Sequence, residues 1–556
     1  MSKRLMLSVA MLAIGASLLA ASATAGSSGA SAASGPEASS GPAQRGGTFR
    51  YSLDTDIDYV DTALSYYTIS WQIMYASHAM LMNYPDAAAP RGSRLVPEVS
   101  QGMPVISKDG KTYTFTLKKT YRFSNGAKVT AANYAAAINR DLNPKMASPA
   151  QPFIEDIVGA KSVIDGKATK ATGVKVLSPY KLQIKLTKRA PDLLSRLAMP
   201  FFAPIPTSMP INPDGVSAPV VGSGPYYIAA WEPKRSITLL RNRFYKGPRP
   251  HNINRFQYDI GLPLATIRLN VESNATDHGP VPPAAHAELG QKYGVRKASP
   301  GQYFVNASAA FRYLAMNHDR PLYGGSANGN VGLKKAVNFA IDRIAMINQR
   351  GAYAGVINDQ YMPPSMRGFQ NAAIYPSRPN VSRARSLAQG NLRGGKQVFY
   401  TCNTGPCLPI TQIVQDNLKA IGLDSEIKPF PRAVQFTKTG TRGEPFDMSL
   451  EGWHMDYFDP YDFIFLLDGT TIRPANNVNF SYFNSPQYNR KIAAAASLVG
   501  QARYRAFGNL DVDLAKNAAP LASFITDNTR LLFSKSTGCF LYQPVYEVDL
   551  AALCKK

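Results

Sequence analysis

Six histidines, four cysteines and a run of alternating aspartates are the residues of this 556-residue chain that first invite chemistry. His78, His251, His278, His286, His318 and His454 never recur at the spacing of three to five residues that places two ligands on one metal. His278 and His286 lie in a Pro-rich stretch and read as linker. Asp54, Asp56 and Asp58 alternate like the start of a calcium loop, but the central glycine and closing glutamate of such a loop are missing, so a strand-end loop is expected. Cys402 and Cys407 flank Asn-Thr-Gly-Pro, and Cys539 and Cys554 bracket the C-terminal segment. Neither pair has a histidine or further cysteine nearby, and no redox C-x-x-C occurs. Both are therefore expected to be structural disulfides that close local loops. There is no Gly-x-Ser-x-Gly elbow, His-Glu-x-x-His, P-loop or Gly-x-Gly-x-x-Gly. A triad or carboxylate dyad assembled in space stays open, but nothing local favours one. Binding is preferred to catalysis, with no metal and no cofactor expected.

The elements that must position any such site are legible from periodicity. Met103–Ser107 leads through the turn Lys108-Asp109-Gly110-Lys111 into a strand with Tyr113, Phe115 and Leu117 inward and Thr112, Thr114 and Thr116 outward. Ser124-Asn125-Gly126 is a second turn, followed by an Ala-rich helix from Ala131 to Arg140. Leu182, Ile184 and Leu186 alternate again, and Ser236–Arg241 is a further strand. Beyond it the pattern changes. Tyr313–Asn317, Gln397–Tyr400, Ser425–Lys428 and Asp447–Glu451 read as strands. Leu333, Val337, Ala340, Ile341, Ile344 and Ile347 recur at helical spacing, and a helix holding Ile413, Val414, Leu418 and Ile421 stops at Gly422. The class is α/β, richer in hairpins in its first half. A single core stops growing near ~250–300 residues, so at least two lobes are expected.

The N-terminus sets the compartment. Lys3 and Arg4 precede an apolar run, Leu5–Ala21, and Ala23-Thr24-Ala25 is the small-x-small pattern a signal peptidase cuts. Residues 1–25 are expected to be a signal peptide and 26–45, rich in Gly, Ser and Ala, a flexible linker. An uncleaved anchor is the competing reading. No lipobox cysteine is present. The mature protein is expected to be exported and soluble, periplasmic or at the cell surface. The net charge of +24 is spread over the chain, its densest groups being pairs such as Lys118-Lys119 and Lys334-Lys335. That excess describes a basic solvated surface rather than a nucleic-acid site.

Six collinear blocks carry a resemblance: Gly46-Gly47-Thr48-Phe49-Arg50; Leu95-Val96-Pro97-Glu98 through Lys108-Asp109-Gly110-Lys111-Thr112-Tyr113-Thr114-Phe115; Tyr121-Arg122-Phe123-Ser124-Asn125-Gly126; Val221-Gly222-Ser223-Gly224-Pro225-Tyr226 with Trp231-Glu232-Pro233; Tyr313-Leu314-Ala315-Met316-Asn317 with Ala340-Ile341-Asp342-Arg343; and Gly452-Trp453-His454-Met455-Asp456-Tyr457-Phe458-Asp459-Pro460. Over nearly the whole mature chain the sequence resembles the extracellular solute-binding proteins of family 5, the oligopeptide, dipeptide and nickel-type receptors of ABC importers. The resemblance implies a two-lobed periplasmic-binding-protein-like clamp, with lobe I at 46–283 (including a hairpin-rich subdomain at about 96–196), lobe II at 284–521, and a return to lobe I at 522–556. The chain would cross between lobes near Pro280–Pro283 and after Ala518-Ala519-Pro520. The partners implied are a small-molecule solute, a peptide before an oligosaccharide, an opine-like compound or a metal chelate, and a membrane permease. No nucleic acid is implied, and the protein would act as a monomer.

In peptide-binding members the Asp of a Trp-x-x-Asp motif pairs with the peptide's α-amino group, and the matching residue is Asp456, three after Trp453. Two readings stand for Asp456: ligand contact, or the cap of a local turn. Trp453 would wall the cleft or fill core. His454 departs from the small or polar residues more usual after that tryptophan, and serves either the solute or the local structure. Tyr66 and Tyr67, within Ser65-Tyr66-Tyr67-Thr68, suit a cleft wall or a surface turn. Asn317 bonds either the hinge or the ligand. Asp459-Pro460 and Asp462 look like turn chemistry. A secreted hydrolase and an exported chaperone or adhesin are the rivals from other classes.

Overall fold

Alternation becomes structure most directly in the hairpin subdomain. In the computed structural model, which describes residues 44–556, Gly110 takes the left-handed conformation the expected turn requires (φ +69°). Tyr113 and Phe115 are buried between their outward threonines. The expected signal peptide and nearly all of the linker lie outside the described residues.

Fifteen strands build the two main sheets: β1 (Thr48–Leu53), β2 (Val105–Ile106), β3 (Thr112–Thr116), β4 (Val174–Ser178), β5 (Lys181–Lys185), β6 (Tyr226–Glu232), β7 (Ser236–Arg241), β8 (Arg255–Ile260), β9 (His278–Gly279), β10 (Tyr303–Met316), β11 (Gly355–Val356), β12 (Lys396–Cys402), β13 (Asp424–Phe430), β14 (Met448–His454) and β15 (Leu521–Phe533). The small sheet runs β2-β3-β5-β4. The large one runs β13-β12-β14-β10-β15-β9-β1-β8-β7-β6, with β11 also on β15. Parallel pairs (β1 with β8, β12 with β13 and β14) mix with antiparallel ones. Helices α1 (Thr68–Ser77), α2 (Ala131–Leu142), α3 (Leu264–Glu272), α4 (His286–Tyr293), α5 (Val331–Ala340), α6 (Cys407–Lys419), α7 (Arg432–Thr439) and α8 (Gly500–Asp513) pack around them.

Two long strands join the halves of the large sheet. β10 and β15 pair antiparallel from Tyr303 opposite Leu532 to Ala315 opposite Leu521, with a shift of register between Ala307 and Phe311. Strand β10 is far longer than the expected Tyr313–Asn317. Most of Tyr303–Ala310 is small or apolar and buried on both faces, so no alternation marks it. The segment after Pro283, expected in the second lobe, packs on the N-terminal side: Ala285 and Leu289 share a cluster with Ile267 and Val271 of α3. The helical spacing from Leu333 to Ile347 is interrupted. Ile341 is extended, and Asp342 caps a second helix by accepting from the Ala345 N–H at 2.9 Å.

Both cysteine pairs are bonded, Cys402 with Cys407 and Cys539 with Cys554. The tail that holds the second pair lies on the N-terminal half, where Phe540, Val548 and Leu553 pack with Phe49 and Phe256. The largest hydrophobic cluster spans the two halves. It joins Trp71 and Phe201 of the first to Trp453, Tyr457 and Phe463 of the second. No helix among the described residues is long and apolar enough to cross a membrane.

Candidate ligand-binding site

The site begins where β14 ends. Its last residues, Trp453 and His454, lead into a turn that Asp462 organises: one carboxylate oxygen accepts from the Trp453 indole N–H at 3.3 Å and from the Asp456 N–H at 3.0 Å. Asp459 opens the next helical turn by accepting from the Tyr461 N–H at 2.9 Å, and is itself paired with Arg503 of α8 at 2.7 Å. Asp459 and Asp462 thus carry the turn, and Asp456 is left free to face away from it.

Asp456 is 6% exposed, and its carboxylate accepts from the Tyr66 hydroxyl at 2.7 Å. Burial pushes it up to about 7, against the Tyr66 hydrogen bond and the field of His454. Among the described residues no lysine or arginine forms an ion pair with it. Tyr66 approaches from the other half of the molecule, placed by the loop before α1. There Asp58 accepts from the N–H groups of Tyr66 (2.5 Å) and Tyr67 (2.9 Å) and from the Ser70 hydroxyl (2.6 Å). The aspartate run is thus a loop scaffold, and among the described residues no group of three or more His, Cys, Asp or Glu is placed to hold a metal. The Tyr66 ring meets Phe201 (centroids 5.3 Å apart) and Trp453 (6.5 Å) edge to face. The Trp71 indole, donating to the Ser65 carbonyl at 2.9 Å, pins the loop from behind.

His454 lies 3.4 Å from Glu547 of the C-terminal tail, which raises the imidazole above its ordinary value although burial works the other way. Tyr67 stands at the rim, 39% exposed. Asn317 is not brought to this group. It follows β10, seven residues beyond Ala310, the partner of His454, and its amide is taken up by the Phe446 carbonyl (2.9 Å) and the Asp319 N–H (2.9 Å). Sequence reasoning missed Asp58 as a positioning residue and Glu547 altogether. The first was visible only as turn chemistry, and nothing in the tail marked the second.

The description "Bacterial extracellular solute-binding proteins, family 5 Middle" matches residues 94–474, the span that holds Trp453 and Asp456. The chain belongs to this family. The family 5 relatives include the periplasmic oligopeptide-binding protein OppA of Escherichia coli, 23% identical over 445 residues (77% of this chain, 78% of that one). The dipeptide-binding protein DppE of Bacillus subtilis is 22% identical over 514 residues (88% of each). The periplasmic binding protein DppA of Helicobacter pylori, solved with the peptide STSA, shares the fold at a TM-score of 0.77 and 19% identity, covering 92% of this chain and 98% of its own. The mixed α/β architecture, with a large sheet joined by two long strands, is therefore the two-lobed periplasmic-binding-protein fold.

Proposed function

We propose that this chain is the exported receptor of an ABC importer, that it encloses a peptide between its two lobes, and that Asp456 takes the peptide's free α-amino group. The observation that supports this reading is the carboxylate itself: buried, without a lysine or arginine to pair with among the described residues, and covered by Tyr66 from the opposite half. An unpaired buried carboxylate is costly, whereas a charge-assisted pair with an ammonium is among the stronger polar contacts. Trp453 and Tyr66 supply aromatic walls, His454 a hydrogen-bonding edge, and Tyr67 the rim. Peptide-binding relatives agree with this choice of solute.

Lobe I comprises the chain up to about Ala307 and from about Asn528 onward, and lobe II lies between. The lobes close about the register shift in β10 and β15. Removal of the leader leaves a monomer outside the cytoplasmic membrane that performs no turnover and delivers its peptide to a permease. Native mass spectrometry of the mature protein, followed by denaturing release, tests the reading. Co-purified peptides with free N-termini, lost on Asp456→Asn while the fold is kept, are the expected result. A sugar or a metal chelate in their place overturns it.

A further inference from the structure

We propose that the outer face of the hairpin subdomain is a cationic docking surface for an anionic lipid bilayer, an inference that goes beyond the cleft and does not depend on which solute fills it. Residues 96–196 hold 17 Lys and Arg against 7 Asp and Glu, a net +10 out of the +24 of the whole chain. Four of the seven acids, Glu98, Asp141, Asp156 and Asp192, are buried. Of the other three, Glu155 pairs with Arg473, Asp165 pairs with Lys161 at 3.1 Å, and Asp109 accepts from the Ser107 hydroxyl and the Lys111 N–H. The positive charge is therefore left at the surface.

The strand register gathers part of that charge on one face. Tyr113, Phe115, Leu182 and Ile184 turn inward and join the cluster that reaches Phe201 and Trp453, so the opposite face looks away from the Asp456 group. On that outer face Val105, Thr114, Gln183 and Lys175 form one row across all four strands. Thr112 with Lys185, and Thr116 with Lys181 and Ser178, form the rows on either side. Each lysine is exposed and has threonine, serine or glutamine opposite it, where an acid would be the stabilising cross-strand neighbour. Among the described residues none of the three makes an ion pair. Two more cations flank the face. Arg189 lies against Gly110 of the β2–β3 turn, where a Cβ would come within 3.1 Å of its side chain. Lys119 stands 5.7 Å from the ring centre of Tyr180, in the β4–β5 turn.

Protection of the sheet edge does not account for this arrangement. Lysine guards an edge strand against pairing with another chain, yet Lys181 and Lys185 sit on β5, between β3 and β4. The edge strand β2 carries no charge and presents Val105, which is 75% exposed. At the far edge Leu177, at the register shift between Val176 and Ser178, is 49% exposed. Cations set among exposed apolar side chains on an open face fit an anionic bilayer, whose headgroups take the charge and whose acyl boundary takes Val105 and Leu177. A soluble polyanion would meet the lysines but offers nothing to the apolar pair. Such a contact keeps an exported receptor at the membrane surface, where an importer is.

Sedimentation of the mature protein with lipid vesicles tests the inference. The protein is expected to bind vesicles of phosphatidylglycerol and phosphatidylcholine in equal parts, to ignore phosphatidylcholine alone, and to be released by salt. Changing three lysines together, Lys175→Gln, Lys181→Gln and Lys185→Gln, should weaken that binding on the order of a hundredfold, about fivefold for each lysine. All three side chains are exposed, so the fold is kept. The same change at Lys246, Lys419 and Lys516, exposed lysines elsewhere on the chain, should leave binding nearly unchanged. An environment-sensitive dye on Val105→Cys should report apolar surroundings on the mixed vesicles. Equal binding to both kinds of vesicle overturns the inference, as does an equal loss in the two triple variants, or a dye that stays in water while the protein sediments. Absence of binding to the mixed vesicles also overturns it, and binding of inorganic polyphosphate in that case identifies a soluble polyanion instead. Vesicle binding is read without peptide, so failure of the cleft reading leaves this result standing.

Discussion

A carboxylate whose protonation differs between the empty and the filled cleft makes peptide affinity a function of pH, and the sign follows from Asp456. Its ordinary value is 3.8, and burial between the two halves pushes it up to about 7. Below pH 4 the group is protonated in the open and closed forms alike. Between pH 4 and pH 7 the open form ionises while the closed form keeps its proton, so closure without a cationic partner becomes steadily less favourable over that window. An ammonium supplies that partner, so binding to the closed, protonated form below pH 7 expels a proton. Affinity for a free-amine peptide is therefore expected to rise from pH 5 to pH 7, by up to about tenfold per unit, and to fall again as the peptide's own amine loses its proton near pH ~8. The groups facing Asp456 are Tyr66, His454 and Asp462. Loss of the imidazolium charge removes a competing cation and acts in the same direction. Calorimetry in two buffers of different ionisation enthalpy reads the proton directly, and a pH-independent affinity would contradict the assignment. Asp456→Asn should flatten the profile. Tyr66→Phe should keep the profile and weaken binding by about tenfold to a hundredfold, the worth of one hydrogen bond to a charged group.

Secondary-structure elements hold this site in place through buried groups whose sequence signature is local but whose purpose is not. Arg343 is fully buried and donates to the carbonyls of Ser523 (2.9 Å), Asn338 (2.9 Å) and Pro376 (3.0 Å), tying β15 to the end of α5. Lysine keeps the charge but cannot spread its donors across three separated acceptors. Arg343→Lys is expected to cost about 2 kcal/mol of stability, seen as a lower thermal midpoint, with peptide affinity unchanged within error. The Ala-Ile-Asp-Arg block that carried part of the family resemblance is thus a structural joint. Period-two strands such as β3 and β5 were legible because one face meets solvent. The first half of β10 was not, because both its faces are buried, and the break at Ile341 was hidden by continuous helical spacing. Asp456 and Tyr66 were each singled out in the sequence, yet their bond was not legible: they lie 390 residues apart, and spacing carries no information at that distance.

Across the whole molecule, closure must be weak enough for a solute to control it, because a ligand shifts the lobes only by its differential affinity for the closed form. Several contacts cross the cleft besides Tyr66 and Asp456. The Tyr457 hydroxyl donates to Asp192 at 3.2 Å, the Phe458 N–H donates to the Tyr84 hydroxyl at 2.9 Å, and Arg473 pairs with Glu155. The last is the most adjustable. It borders a cavity of about 410 Å³ lined by Glu155, Lys188, Thr471 and Arg473, so water and salt reach it. A pair of that kind contributes roughly 1 kcal/mol or less, enough to bias an equilibrium and too little to determine the fold. Reversing its sign with Arg473→Glu sets three carboxylates together, since Asp156 lines the same cavity. The variant should fold normally but populate the open form more, and affinity should fall by about threefold to tenfold through the smaller closed fraction. Small-angle scattering of the empty variant should give a larger radius of gyration, restored by saturating peptide. Added salt should weaken binding to the original protein and strengthen it in the variant, because screening removes an attraction from one and a repulsion from the other. Unchanged scattering together with unchanged affinity would place the control of closure in the aromatic contacts around Phe201 and Trp453 instead.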